Sequence, residues 1–318
     1  MSESRRDHAR DEVPPPRGPL SAFGVVHREG DSMEVRIREG KRSDATELGR
    51  IDFEAFKSIS SQHNFPWDFP SVEVATGLVS MLLSNPGFYC AVAEVDGKIV
   101  GSNFLDERNP ISGVGPITVD PAVQNQTIGR QLMKAVMERS AKRGFAGIRL
   151  VQAAYHNRSL CLYTKLGFET RETLSKMDGP PIGKKFGGYH VRPAIEDDLS
   201  ACNQLCIRVH GHDRGGELRD ALKVGTAKVV EHLGRITGYA SDIAFFSHAV
   251  GETTQDIIAL IADASDFSSK GGFLLPTRNG ELFRWCLNNG LRLVHQMTLM
   301  TIGLYNEPCG AYLPSVLY

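Results

Sequence analysis

Between Gly115 and Gly144 a short apolar strand, Pro116-Ile117-Thr118-Val119, breaks at Asp120-Pro121, and the stretch Gln124 to Arg130 opens a helix carrying Leu132, Met133, Val136 and Met137. The first turn of a helix leaves backbone N–H groups unpaired and is the positive end of the helix dipole, so a loop leading into it is a place for an anion, here of pyrophosphate size. Gln124, Asn125, Gln126, Thr127, Ile128 and Gly129 form that loop, and Arg130 adds a cation where the dipole alone would not favour one. Thr127 occupies a place where glycine would let the backbone approach a ligand or take positive φ. A β-branched residue does this poorly, and the threonine leaves the anion site intact if its φ is negative.

Downstream, a second strand, Gly147 to Gln152, leads into Asn157-Arg158-Ser159-Leu160-Cys161-Leu162-Tyr163-Thr164-Lys165-Leu166-Gly167-Phe168. The two segments together resemble the GNAT superfamily of acetyl-CoA-dependent N-acetyltransferases. There the loop reads Gln/Arg-x-x-Gly-x-Gly/Ala and the later helix ends at Gly-Phe, splayed from the strand before it. The resemblance covers about residues 34–178, with Thr127 in place of the first glycine.

The resemblance implies acetyl-CoA as cosubstrate, with its pantetheine arm paired like an added strand to the backbone of Ile117, Thr118 and Val119. It also implies that Asn157 and Tyr163 face the thioester, with Tyr163 as general acid. Taken from the residues alone, Tyr163 could be a half-buried helix residue and Asn157 an N-cap. GNAT enzymes use a carboxylate near the end of the preceding strand as base, which singles out Asp106 and Glu107 in Asn103-Phe104-Leu105-Asp106-Glu107-Arg108. Neighbours on a strand point to opposite faces, so at most one should reach the site, and a solvated Asp-Glu-Arg turn is the alternative. For the acceptor, Phe53, His63, Trp67 and Asn103 are the candidate contacts; the aromatic residues could equally form a core cluster under a loop.

The chain that must position these groups has 318 residues, of which 41% are hydrophobic and 23% charged, enough for two domains. Its net charge is −1, with no long basic block, which argues against nucleic acid or anionic membrane as partner. Six scattered cysteines without a Cys-x-x-Cys pair read as reduced core residues, and no metal is expected. The absence of a long apolar run or a signal-peptide layout leads to a cytoplasmic expectation.

Residues 1–32, rich in charge and proline, read as a flexible arm. Residues 33–178 follow with strand, two helices, a hairpin turning at Asp96-Gly97, the strand before the loop, its helix, and a strand–helix–strand ending. The inward positions of the second helix are read as Val74, Leu78, Met81 and Leu82. A linker at 179–188 precedes residues 189–318, where the pattern starts again: Val191-Arg192 then Asp197-Asp198 parallel Ile37-Arg38 then Ser43-Asp44. Arg192 to Gly290 is shorter than Arg38 to Gly167 by roughly one βα unit and holds no phosphate loop, so this half reads as a truncated, degenerate repeat that walls the acceptor site.

The expectation is therefore an α/β (α+β) tandem GNAT fold, with a mixed central sheet flanked by helices. It would transfer acetyl from acetyl-CoA to a small-molecule amine by direct attack. The alternative is a non-catalytic acyl-CoA-binding or sensing protein. Exposed strand edges add a homodimer to the expectations.

Overall fold

The computed structural model describes residues 34–318; the expected N-terminal arm lies outside them. In the first half, β1 (Val35–Glu39) leads to α1 (Ala45–Gln62) and α2 (Val72–Ser84), then to the hairpin β2 (Phe88–Val95) and β3 (Lys98–Asp106). Asp96 and Gly97 take φ of 50° and 73°, the left-handed pair that a two-residue hairpin turn requires. β4 (Ile111–Val119), α3 (Ile128–Arg143), β5 (Gly147–Ala153), α4 (Asn157–Lys165) and β6 (Glu169–Asp178) complete this half.

α2 buries Ala75, Val79 and Leu82, whereas Val74 and Met81 are about half exposed, against the expected inward face. The helix is apolar nearly all round, so its periodicity does not select a face.

The second half repeats the order element for element: β7 (Tyr189–Pro193), α5 (Leu199–His210), α6 (Gly215–Val224), β8 (Lys228–His232), β9 (Arg235–Ala240), β10 (Ala249–Gly251), α7 (Thr254–Asp263), β11 (Phe273–Pro276), α8 (Gly280–Asn288) and β12 (Arg292–Gly303), with β13 (Ala311–Leu313) added. The repeat extends to side chains. Arg38 bonds Asp44 at 2.7 Å and Glu94 at 2.8 Å, and Arg192 bonds Asp198 at 2.7 Å and Glu231 at 2.9 Å. The expected loss of a βα unit is corrected: the shortening is spread along the half, with 12 residues in α5 against 18 in α1, 3 in β10 against 9 in β4, and 10 in α7 against 16 in α3.

The halves are also interleaved. An eight-stranded sheet runs β1-β2-β3-β4-β5-β12-β6-β11, and a five-stranded one β13-β10-β9-β8-β7. β12 lies between β5 and β6, pairing Met297 to Gly303 with Ala153 to Gly147 on one side and Arg292 to Thr301 with Asp178 to Glu169 on the other. In return β6 lies between β12 and β11. Each half thus supplies the strand that covers the other's fifth, and residues 34–178 and 189–318 share one hydrogen-bonded sheet. No helix among the described residues is long and apolar enough to cross a membrane.

Candidate active site

β4 and β5 run parallel but pair only from Ile111–Val114 to Gly147–Leu150. Beyond Val114 they diverge, so Gly115 to Val119 keeps β3 on one edge and has no β5 partner on the other. An unpaired strand edge offers backbone donors and acceptors to an extended ligand. A cavity of about 1060 Å³ opens along this edge, lined by Ile117, Thr118 and Val119 and by Gln124, Asn125, Thr127, Ile128, Gly129 and Arg130.

The loop at the head of α3 suits an anion. A Cβ added to Gly129 would meet Leu162 at 3.8 Å and Val119 at 3.9 Å, ordinary contact distances, so nothing crowds the backbone there. Gln124 is fixed by a bond from its Nε2 to the Val119 carbonyl at 3.0 Å, and Arg158 on α4 reaches over to Gln124 at 2.6 Å and Asn125 at 3.0 Å. Arg158 is a second cation at the loop that the sequence reading passed over, although it stands beside Asn157.

Thr127 is the N-cap of α3 and sits at φ 65°: the condition of negative φ is not met, and the loop keeps the path a glycine would give it at the expense of strain in the threonine. The left-handed region costs an L-residue about 1–2 kcal/mol. Thr127→Gly removes that strain, and with the extra chain entropy of glycine deducted it should raise stability by up to about 1 kcal/mol, read as a higher unfolding midpoint. The side chain is exposed and its hydroxyl only meets Gln131 at 3.5 Å, so little packing is lost.

α4 brings His156, Ser159 and Tyr163 to one face by their spacing, and all three line the cavity. His156, not Asn157, is the N-cap: its Nδ1 accepts the Ser159 N–H at 3.1 Å. Tyr163 is 6% exposed, and burial pushes its phenol up to about 12, with Ser159 offsetting part of the rise. It therefore stays a hydrogen-bond donor throughout the working pH range.

The far end of the cavity is walled by the second half through Phe245, Phe246, His295, Met297, Val316 and Leu317. Three polar groups meet there from distant parts of the chain. Asp68, between α1 and α2, lies 3.6 Å from the Lys176 ammonium of β6, and Lys176 pairs across the strands with His295 of β12. Lys176 also lies 4.4 Å from the Phe245 ring centroid. No sequence motif joins these residues; strand exchange does.

Several expected residues are placed elsewhere. Asp106 is bonded by Arg108 at 2.6 and 2.9 Å, and Glu107 by Arg139 at 2.7 and 2.9 Å. Both carboxylates are committed to ion pairs and neither lines the cavity. Asn103 is fully buried under α3, facing the Leu132 carbonyl and Met133 sulfur. Phe53 packs edge-on to Trp67, and His63 lies on Tyr155. Of the four expected acceptor contacts Trp67 alone reaches the cavity. Gln126 and Asn157 do not line it.

A carboxyl not anticipated from sequence lies behind β4. Asp52 of α1 is fully buried, accepts the Thr118 hydroxyl at 2.5 Å, and is raised to about 7 by burial. It ties α1 to the strand that edges the cavity.

The second half has no counterpart of the loop. Only Glu252 and Thr253 separate β10 from α7, and Thr253 and Asp256 cap the helix reciprocally. Glu252, held by Arg208 and Arg235, places a carboxylate beside the helix end.

Residues 86–170 match the acetyltransferase (GNAT) domain family. Over 143 residues the chain is 36% identical to a mycothiol acetyltransferase of Nocardia farcinica (strain IFM 10152), covering 43% of this chain and 46% of that one. The chain thus matches about half the length of that relative. A protein of Pyrococcus horikoshii described as an acetyltransferase superposes with a TM-score of 0.68 at 18% identity, over 90% of this chain and 97% of that one. A tandem GNAT protein from the clavulanic acid biosynthesis pathway superposes with a TM-score of 0.53 at 13% identity, over 85% and 98%. At these identities the two structures speak for the fold alone.

Proposed function

We propose, from the premise that this chain belongs to the GNAT superfamily of acetyl-CoA-dependent N-acetyltransferases, that it moves acetyl from acetyl-CoA to a small-molecule amine by direct attack. The observation that carries the reading is one cavity that runs from the phosphate loop, along the unpaired edge of β4, past Tyr163, to a chamber closed by the second half. Its two ends suit different ligands: helix amides with Arg130 and Arg158 for a pyrophosphate, and aromatic walls with Asp68 and Lys176 for an acceptor.

In this reading the backbone of Ile117 to Val119 holds the pantetheine arm in extended form. The amine nitrogen attacks the thioester carbonyl, the C–N bond forms, and the C–S bond breaks. The Tyr163 hydroxyl donates to the departing sulfur. The second half serves as wall rather than as a second cofactor site, a role supported by its two-residue loop and by Glu252 at the end of α7.

The first test is calorimetric titration with acetyl-CoA of the wild type and of Gly129→Trp, whose indole would fill the loop. The expected result is saturable binding that the variant loses. Binding by neither protein would remove the reading. The strained Thr127 favours one rival, a non-catalytic acyl-CoA-binding protein; it would show the same titration with no transfer to any amine.

A further inference from the structure

We propose that His295 is the general base that takes the proton from the acceptor amine, an assignment that rests on the acetyl-transfer reading above. The residue is 6% exposed and lines the chamber opposite the phosphate loop. Its tautomer is fixed by geometry. Nδ1 lies 3.2 Å from the Gln296 carbonyl oxygen, which can only accept, so Nδ1 carries the hydrogen and Nε2 keeps its lone pair. No described residue donates to Nε2.

The other titratable groups of the chamber are committed. Asp68 faces the Lys176 ammonium and accepts from Ser60 at 3.3 Å. Asp178 accepts from Arg292, Gly179 N–H and the Ser268 hydroxyl. The lone pair of His156 Nδ1 is spent on capping α4. Asp106 and Glu107, where the sequence placed the base, lie outside the cavity.

The surroundings keep the imidazole ready to accept. The charged and titratable groups facing it are Lys176 on β6, Asp68 in the loop before α2, and Tyr155 in the turn before α4, with His63 tilted against Tyr155. Burial and the Lys176 charge hold His295 below the usual histidine range, while Asp68 and the Gln296 carbonyl oppose them. The ring is thus neutral at pH 7. Lys176 has a second effect: a cation in the chamber disfavours an ammonium beside it and so helps the acceptor to give up its proton.

The step balances. The acceptor ammonium gives a proton to Nε2, which passes it to solvent, and the free amine attacks. As the amide forms, its second N–H proton goes to Nε2, and the thiolate leaves under the hydrogen bond from Tyr163.

The test uses the full chain with acetyl-CoA and two probe amines that suit an aromatic chamber: 2-phenylethylamine, charged at neutral pH, and phenylhydrazine, largely uncharged there. Asparagine can still donate to the Gln296 carbonyl. His295→Asn, with His295→Gln beside it and folding checked by circular dichroism, should lower kcat/KM for 2-phenylethylamine by about 100-fold. It should also remove the His295 inflection, which lies below pH 6.5, from the pH profile, leaving only the amine's own titration, and leave the KM for acetyl-CoA unchanged. Phenylhydrazine, which attacks without first losing a proton, should lose far less. Equal losses with both amines, or an inflection below pH 6.5 that survives in both variants, would overturn the assignment and leave His295 a packing residue. Binding of acetyl-CoA by the wild type with transfer to neither amine would overturn the transfer reading, and the base with it.

Discussion

Tyr163→Phe should lower kcat by about a thousandfold, within the range expected for loss of an acid–base group, while acetyl-CoA binding measured calorimetrically stays the same. The hydroxyl is the only group removed, and the ring keeps its edge contact with Phe168 at 6.3 Å between centroids, so α4 should hold its place. The loss falls on kcat because sulfur gains negative charge only as the C–S bond breaks; a donor there strengthens in the transition state and does little for the bound thioester.

The pH dependence follows from the same burial. A phenol pushed up to about 12 remains protonated, so no alkaline fall in kcat from this group is expected below that value. A variant that kept wild-type turnover would return Tyr163 to a packing role. One that also lost acetyl-CoA binding would show that the hydroxyl positions the cofactor.

The second large effect concerns folding. Residues 34–183 expressed alone should fail to fold, as should 184–318, while the two expressed together should associate into the native sheet. The reason is the exchange of β6 and β12. Without β12, the edge of β5 and one edge of β6 lose their partners, and Leu174 and Met177, both fully buried, are uncovered. Each such side chain contributes about 1.5–3 kcal/mol, against a total stability of only about 5–15 kcal/mol for a typical domain. Exposed strand edges also invite aggregation. Circular dichroism and size-exclusion chromatography of the fragments, apart and mixed, measure this. A monomeric, cooperatively unfolding 34–183 fragment would show that the sheet closes without β12.

What could be read from the sequence was what a contiguous segment encodes. The turn at Asp96-Gly97, the loop from Gln124 to Arg130 and the helix bearing Tyr163 depend on local dihedral preferences, helix-end chemistry and residue spacing, and each appears where its residues placed it. The repeat was legible for the same reason, since Arg192 and Asp198 repeat the spacing of Arg38 and Asp44 and form the same ion pair.

Tertiary structure decided what depends on partners far along the chain. Asp106 and Glu107 look like bases until Arg108 and Arg139 claim them. Thr127 could have taken either sign of φ, and the path of the loop into α3 imposed the positive one. Asp68, Lys176 and His295 carry no mutual spacing that a sequence pattern could reveal. They meet because two halves of similar pattern exchanged their last long strands, and strand pairing over that distance is set by which edges remain open once each half has folded against the other.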